Sequence, residues 1–269
     1  MSKRKYFFNE RFFETIDSQE KAYLLGFLYA DGNISNNKYY INIDLAEYDK
    51  EILDMFIKEL NYNIYPKLNE REINSNKYLK LSIGSKAMCT DLIKIGCTPN
   101  KTLQLCYPKI DDKYHRHFIR GYFDGDGTVT RNKDRCYIKI TSTKLFLNKI
   151  YFILNKELNI NINKLIKSNK IYNLSLSSIN DTIKFYNYIY KNANLFLKRK
   201  YNKYTELYEI NKKSNRIDWT PTSKYKGVFY DKSRNKWKAT FGKKQLGRFN
   251  SEKEALNERR KYIEKISSH

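Results

Sequence analysis

Two aspartates, Asp31 and Asp126, have the surroundings expected of side chains that act together. Each follows an apolar stretch and precedes a glycine. Each stretch also carries a pair of small residues four positions apart, Gly26 with Ala30 and Gly121 with Gly125. Residues at this spacing lie on one face of a helix, and small ones let two helix backbones approach closely. The pattern predicts two packed helices whose ends bring the aspartates together.

Two carboxylates at adjacent helix ends would repel each other, because the C-terminal end of a helix carries about half a negative charge. A divalent cation relieves this repulsion, and magnesium prefers carboxylate, water and phosphate oxygens. We therefore expect Asp31 and Asp126 to bind Mg²⁺ or another divalent cation such as Mn²⁺. Gly32 and Gly127 are expected to close the two helices in the left-handed conformation. One Asp-Gly pair is usually only a turn signal, so the prediction depends on the presence of two copies.

The two stretches, residues 24–32 and 119–127, resemble the nine-residue motif of the LAGLIDADG homing endonucleases. Their glycines, apolar positions and final acid match in both copies. The sixth position is Tyr29 in the first copy, where that family often has an acid, and Asp124 in the second. The resemblance implies that four residues supply metal ligands, through two carboxylates and two backbone carbonyls: Asp31, Asp126, Ala30 and Gly125.

The same resemblance assigns two lysines to the chemistry. Lys101 and Lys200 fall in segments similar to those in which the family places a lysine near the scissile phosphate. A lysine there can stabilise developing negative charge or polarise the attacking water. Lysine is abundant throughout this chain, and the choice between Lys198 and Lys200 in the second copy stays open at this point.

The elements that must position these residues occur twice. Periodicity predicts one helix and three strands after the first motif, over 48–60 and over 39–45, 64–68 and 78–83. Asp17 or Ser18 is expected to cap the first motif helix, and Gly96 is expected to stop the third helix. Similar segments recur in the second copy, and the two aspartates are 95 residues apart (126 − 31).

This duplication predicts an α+β fold made of tandem αββαββα repeats, residues 1–110 and 111–210, with pseudo-two-fold symmetry. The family resemblance implies saddle-shaped antiparallel sheets. Strands can read a major groove, so each sheet is expected to lie along one half of a DNA site. Because one chain supplies both aspartates, we expect a monomer.

The composition favours a polyanionic partner, double-stranded DNA above all. The chain has 269 residues with 52 Lys and Arg against 29 acids, a formal net charge of +23. Lysine-rich codon usage is an alternative source of the charge, although it does not explain the shortage of acids. The four cysteines form no CxxC pair, so a zinc site or an HNH nuclease motif is not indicated. No signal peptide or membrane-length apolar run is evident, and an intracellular location is expected.

The C-terminal residues predict a separate small module. Residues 211–222 are polar and are expected to form a linker, and 223–269 predict three strands and a helix capped by Ser251. The module resembles the AP2 DNA-binding domain. The resemblance implies DNA contacts by five residues, of which the last two are assigned by position only: Lys226, Trp237, Lys238, Arg234 and Lys236. Packing in a core is the alternative role for Trp237.

Together these features predict a metal-dependent, site-specific endonuclease that cuts double-stranded DNA. The resemblance implies a long semi-palindromic site, 3′ overhangs and a role in intron or gene mobility. The main alternative is a non-cleaving binder on the same fold, either a transcription regulator or a splicing maturase with intron RNA as partner. A nonspecific basic nucleic-acid binder is a third possibility, but it would not need two Asp-Gly helix ends.

Overall fold

The computed structural model comprises two compact units, residues 1–208 and 209–269. The mixed helix and antiparallel-strand architecture expected from the sequence is confirmed. The residues that the structure describes are 5–35, 39–132, 135–160, 165–213, 223, 225, 227–231, 233–242 and 244–267.

The first half of the first unit has the predicted α-β-β-α-β-β-α order. Its four strands form one antiparallel sheet in the order β1-β2-β4-β3. The elements are α1 (Gln19–Asp31), β1 (Gly32–Ile34), β2 (Tyr40–Ala46), α2 (Lys50–Glu59), β3 (Asn69–Ile73), β4 (Asn76–Gly84) and α3 (Lys86–Ile95).

The second half repeats this topology, with the sheet order β5-β6-β8-β7, and adds one helix. The central pairs correspond: Ile43 lies opposite Leu81 in the first sheet and Ile140 opposite Leu174 in the second. The elements are α4 (His115–Asp126), β5 (Thr128–Asn132), β6 (Arg135–Ser142), α5 (Lys144–Leu158), β7 (Ile166–Ser168), β8 (Ile171–Leu176), α6 (Ile179–Tyr190) and α7 (Lys198–Lys213).

Helices α1 and α4 form the seam between the halves, and their packing depends on glycine. A Cβ at Gly26 would lie closer than 3.0 Å to the backbone of Phe118, and one at Gly121 closer than 3.0 Å to the backbone of Tyr23. The inward faces of both sheets and both motif helices join one apolar core. The small residues identified in the sequence therefore set the distance between the two helix backbones.

Gly32 and Gly127 correct one expectation, because neither has the left-handed conformation. Their backbone angles are extended, with φ −75° and ψ 143° for Gly32 and φ −69° and ψ 138° for Gly127. A Cβ on either would clash with the preceding helical turn, and at Gly32 it would lie 2.6 Å from the Leu28 carbonyl oxygen. Glycine is thus required for close approach, as β1 and β5 begin directly after the helices. Gly96 ends α3 as the sequence predicted, and it does so in the left-handed conformation, with φ 104°.

The strand expected over 64–68 is also corrected, since β3 begins only at Asn69. Pro66 cannot donate to a strand ladder, and the tight turn at Asn74 and Ser75, both with positive φ, fixes the register of β3 on β4. All five β3 residues are exposed. An edge strand without a buried face has no apolar alternation to reveal it.

A side chain caps the start of α1 but not the start of α4. Ser18, rather than Asp17, caps α1, its hydroxyl accepting a hydrogen bond from the Lys21 amide at 3.1 Å. Asp111 caps a short 3₁₀ turn, Asp112–Tyr114, and α4 begins after it without a side-chain cap.

The second unit has three strands and a helix, as expected from the sequence. Strands β9 (Val228–Asp231), β10 (Lys236–Phe241) and β11 (Lys244–Phe249) are antiparallel with β10 in the centre, and α8 (Glu252–Ser267) packs on them. The Ser251 hydroxyl accepts from the Glu254 amide at 3.2 Å. The expected linker begins inside α7, which continues to Lys213, and residues 214–222 lie outside the described residues. Within the part of the chain that the structure describes, no helix has the length and apolarity to cross a bilayer.

Candidate functional site

The close approach of α1 and α4 brings the two motif acids to one end of the seam. At this end the helix backbones are so close that a Cβ on Gly125 would lie 3.1 Å from Oδ2 of Asp31. Asp126 is the next residue along α4 and the last of that helix, as Asp31 is the last of α1. Both aspartates keep exposed surface at the helix ends. The geometry thus provides a pair of solvent-facing carboxylates.

Crowding around this pair disfavours the charged forms. Desolvation by surrounding atoms, followed by the negative charge of Asp126, raises the pKa of Asp31 to about 6. Desolvation also raises the pKa of Asp126, against the opposing effects of two lysines and of a hydrogen bond with Tyr122. Shifts of this origin are common where carboxylates are held together for chemistry or metal binding.

Lys101 and Lys200, one from each half, lie beside the acids. The ammonium groups of Lys101 and Lys200 each donate to a backbone carbonyl adjacent in sequence to one of the acids, Gly32 beside Asp31 and Gly125 beside Asp126. The positive charge of each lysine lowers the pKa of both carboxyl groups. The two aspartates and two lysines selected from the sequence therefore form one cluster.

The second half holds its lysine more deeply than the first. Lys200 is 4% exposed, whereas Lys101 is half-buried. The Lys200 ammonium donates to the carbonyls of Phe123 at 2.6 Å and Gly125 at 3.1 Å. Burial lowers its pKa to about 8, against the raising effect of the Asp124 charge. Lys198, the other candidate, points elsewhere and lies 3.7 Å from Glu51.

Sequence analysis identified Asp124 at the sixth motif position but gave it no role. Its carboxylate is 1% exposed and accepts hydrogen bonds from the Tyr23 hydroxyl, the Tyr190 hydroxyl and the Leu197 amide, at 2.9, 2.6 and 2.8 Å. Arg120, one turn earlier, was not identified at all and is also fully buried. The only signal in the sequence is the presence of two charged residues within the otherwise uncharged stretch 118–125.

A cleft of about 240 Å³ opens beside Asp126. Lys101, Tyr122 and Ser142 contribute to its wall. The Tyr122 hydroxyl is 3.1 Å from both the Thr141 carbonyl and the Ser142 hydroxyl oxygen. The cleft gives a polar group access to the Asp126 carboxylate, with Thr141 and Ser142 of the second half in its wall.

The donor atoms at the helix ends fit a hard divalent cation. The carboxylates of Asp31 and Asp126 and the backbone carbonyls of Ala30 and Gly125 are all oxygen ligands, and carbonyls in the last turn of a helix lack intrahelical partners. The Gly125 carbonyl already accepts from Lys200 but has a second lone pair. Among the described residues, no group of three or more His, Cys, Asp and Glu is arranged for metal binding. A cation here would therefore complete its shell with water and phosphate.

The predicted DNA contacts of the second unit divide between the two faces of its sheet. Trp237 packs against the core formed by Val228, Ala239 and Ala255. Lys238 follows directly in β10 and so faces the other way, with its ammonium 5.6 Å from the centre of the Phe229 ring.

The other predicted contacts lie near the ends of these strands. Lys236 shares the face of Lys238 and donates to the Asn250 side chain. Arg234 is exposed in the turn before β10. Lys226 lies outside the described residues. Trp237 thus has the packing role considered as its alternative, and the DNA contacts stay predictions.

Comparison with known families gives a match in the second of the two repeats. The model of the LAGLIDADG-like domain matches residues 113–190. This range runs from the turn before α4 to the end of α6. It includes the motif copy that ends at Asp126, and the expected resemblance is borne out there.

A protein of Methanocaldococcus jannaschii shares sequence with part of the chain. This protein, described as uncharacterized protein MJ0398, is 29% identical over 130 residues, which are 46% of this chain. The match covers 44% of the archaeal protein, so the chain spans less than half the length of that relative.

Solved structures with a similar fold include a DNA-bound meganuclease. The LAGLIDADG meganuclease I-AabMI bound to uncleaved DNA has a TM-score of 0.50 and 12% identity, covering 72% of this chain and 91% of that one. Full-length DUF199/WhiA from Thermatoga maritima has a TM-score of 0.48 and 18% identity, covering 78% and 72%. At such identities the meganuclease match establishes the fold alone.

Proposed function

We propose that this protein is a site-specific endonuclease that hydrolyses phosphodiester bonds in both strands of double-stranded DNA. The observation that carries the proposal is the carboxylate pair at the ends of α1 and α4, with the ammonium of one lysine from each half bonded to a neighbouring backbone carbonyl. The two strands of DNA are antiparallel, so cutting both of them calls for two sites related by two-fold symmetry. A doubled fold supplies two such sites, whereas a single carboxylate would not need one. One chain supplies both sites, so we propose that a monomer is active.

The roles of the residues follow from their chemistry. Asp31 and Asp126, with the carbonyls of Ala30 and Gly125, would hold Mg²⁺ or Mn²⁺. When bound, such a cation activates water and stabilises the leaving oxygen in phosphodiester hydrolysis. Lys101 and Lys200 are fixed positive charges that would stabilise the charge developing on the phosphate.

The substrate is proposed from the charge and the duplication. A formal charge of +23 favours binding to a polyanion, and two sheets of the same topology match the two halves of a semi-palindromic site. That I-AabMI is DNA-bound supports the same substrate for this fold. Cleavage leaving 3′ overhangs and a part in intron or gene mobility belong to the proposal through the motif resemblance.

The second unit is proposed to add DNA contacts outside the core site. Lys236 and Lys238 would contact phosphates from one face of the AP2-like sheet. Replacing Lys238 with Ala is then expected to make the fall of affinity with salt less steep by about one unit of log-log slope. An unchanged slope would argue against this contact.

A second candidate is a DNA-binding protein that does not cleave. The observation that favours it is the Lys200 ammonium on the Gly125 carbonyl, because a lysine at this helix end already neutralises part of the negative charge that a cation would neutralise. Such a protein would serve as a regulator, or as a maturase if its partner is intron RNA.

Selection from a randomised duplex library separates the candidates. The full chain is incubated with the library in Mg²⁺ or Mn²⁺, and cut molecules are recovered and sequenced. A cleaver yields a long motif with two related halves and cuts in both strands. Binding enrichment without any cut molecules would overturn the proposal and leave the binder, and a parallel selection with RNA would identify a maturase.

A further inference from the structure

Asp124 is the buried acid closest in sequence to the proposed metal-binding residues, yet it faces away from solvent. Its three hydrogen-bond donors come from three places: Tyr23 in α1, Tyr190 in α6 and the Leu197 amide just before α7. These three bonds fill three of the about four acceptor positions of the carboxylate. Asp124 therefore fixes the segment before α7 against the helix seam.

The link from Asp124 to Lys200 is short and runs through the backbone. The Leu197 amide donates to Asp124, and the Leu197 carbonyl accepts from the amides of Lys200 and Tyr201 at 3.1 and 3.0 Å. Leu197 is thus bonded on one side to the acid and on the other to the first turn of α7. The ammonium of Lys200 then reaches back to the carbonyls on either side of Asp124, those of Phe123 and Gly125.

The first half shows what the same position does without an acid. Tyr29 occupies the sixth motif position there, and its hydroxyl donates to the Ile95 carbonyl at 2.9 Å. This bond also ties the motif helix to the segment that leads to the lysine, but it supplies no charge. The chain therefore provides a matched neutral version of the Asp124 contact beside Lys101.

A purely structural role would account for the three hydrogen bonds but not for the buried ammonium. Lys200 is 4% exposed, and a buried ammonium is costly unless an opposite charge is near. Asp31 and Asp126 are exposed at the helix ends, whereas Asp124 is enclosed with the lysine. The enclosed acid is therefore the one that keeps Lys200 in its place when the exposed acids bind another cation.

We infer that Asp124 is a positioning residue, which holds the Lys200 ammonium at the end of α4 through its charge and through the Leu197 amide. The inference rests on the proposed function, since it assigns Lys200 a place in that reaction. Asp124 itself does not touch the DNA or a metal ion. Its effect on cleavage passes through Lys200.

A double-mutant cycle tests this dependence. With a DNA site from the library selection, Asp124→Asn is expected to lower the single-turnover cleavage rate about a hundredfold, the loss typical of a catalytic group displaced by about 1 Å. DNA affinity should change less than about twofold. In a Lys200→Met background, Asp124→Asn should have less than about a twofold further effect, because its target is already gone.

A spectroscopic readout does not depend on cleavage. The ¹⁵N signal of the Lys200 ammonium, assigned by its loss in Lys200→Met, is expected in the wild-type protein because burial and two carbonyl bonds slow its exchange. Asp124→Asn should abolish this signal, and the matched variant Tyr29→Phe should retain it. If Asp124→Asn does not fold, Tyr190→Phe removes only one donor to the carboxylate and should weaken the signal.

Three results would overturn the inference. They are equal rate losses from Asp124→Asn with and without Lys200, an unchanged rate in Asp124→Asn, and an ammonium signal that keeps its wild-type intensity in Asp124→Asn or, if that variant does not fold, in Tyr190→Phe. Failure of the proposed function looks different, because wild-type protein would then cut no DNA. In that case the ammonium signal still decides whether Asp124 holds Lys200.

Discussion

The two halves of the first unit share a topology but differ in what they bury along the motif helix. In α1 the second motif residue is the apolar Leu25, and the sixth is Tyr29. In α4 the corresponding residues are Arg120 and Asp124, offset by 95, and both are fully buried. The two motif helices thus have the same place in the fold, but α1 is uncharged at these two positions and α4 is charged. The charged residues of α4 bind the segment that leads to α7.

Charged side chains in the second half bind a backbone turn that the first half holds with a neutral hydroxyl. Arg120 donates to the carbonyls of Ile189 and Leu195, both at 2.8 Å, and Asp124 accepts from the Leu197 amide. These bonds fix the turn between α6 and α7. The corresponding turn in the first half is tied by the hydroxyl of Tyr29.

The start of α7 is also attached to the opposite half. The Arg199 guanidinium makes two bonds to the Asp49 carboxylate, at 2.6 and 2.7 Å, and the Lys198 amide donates to Glu51 at 2.8 Å. The lysine-bearing segment of the second half is therefore held by both halves. The two halves therefore share a topology but surround Lys101 and Lys200 with different side chains.

The largest effect is expected from replacing the acids at the ends of α1 and α4, which tests whether the two halves contribute equally to cleavage. Asp31→Asn and Asp126→Asn should each lower double-strand cleavage about a thousandfold, about 4 kcal/mol of barrier, because each removes a charged metal ligand. Cleavage of a selected site in Mg²⁺ measures the rate, and binding in the same buffer should persist. Full activity in either variant would contradict the proposed metal role.

The helix seam should be equally sensitive from both sides. Gly26→Ala and Gly121→Ala each place a methyl group against the backbone of the opposite helix, so each should destabilise the fold by about 3 kcal/mol. Urea unfolding monitored by circular dichroism measures the change. Alanine improves helix propensity by about 1 kcal/mol, so a stabilised variant would show that the helices are not this close.

The buried charges should make the second half more sensitive than the first at matched positions. Arg120→Met should lower the free energy of unfolding by about 2–3 kcal/mol, because it leaves two carbonyls without their charged donor. Leu25→Met, the matched change in α1, should cost less than about 1.5 kcal/mol. Denaturant unfolding of the two variants gives the comparison, and equal losses would remove the distinction between the halves.

The smallest effect concerns acid sensitivity of the second half. Desolvation, followed by the charges of Arg120 and Arg116 and against that of Glu20, lowers the pKa of His117 to about 4 from 6.5. The folded protein then binds this proton less readily than the unfolded chain. The stability that follows from the lowered pKa of His117 is fully present above pH 6.5 and is lost as the pH falls toward 4.

Replacing His117 with Gln should therefore flatten the fall of stability between pH 6.5 and 4 by about 1 kcal/mol. Ala22, the residue of the first half at this position, has no ionisable group. Urea midpoints of wild type and variant at a series of pH values measure the effect. Parallel curves would show that His117 titrates alike in the folded and unfolded states.

Sequence patterning determined most of the architecture of this protein. Paired small residues four apart predicted the seam between α1 and α4, and alternation predicted the central strands, because buried faces leave a periodic record in the chain. The two Asp-Gly steps and the 95-residue offset predicted that Asp31 and Asp126 lie together. Local signals of this kind depend only on backbone geometry and on which face is buried.

Tertiary structure alone decided which polar groups meet. It separated Lys200 from Lys198, gave Asp124 its three donors and packed Trp237 against the core of the second unit, since each outcome depends on residues that are not adjacent in the chain. It also showed that Gly32 and Gly127 serve close packing with extended backbone angles. A residue type records its own preferences, but hydrogen bonds and desolvation are set by neighbours that only the folded chain brings together.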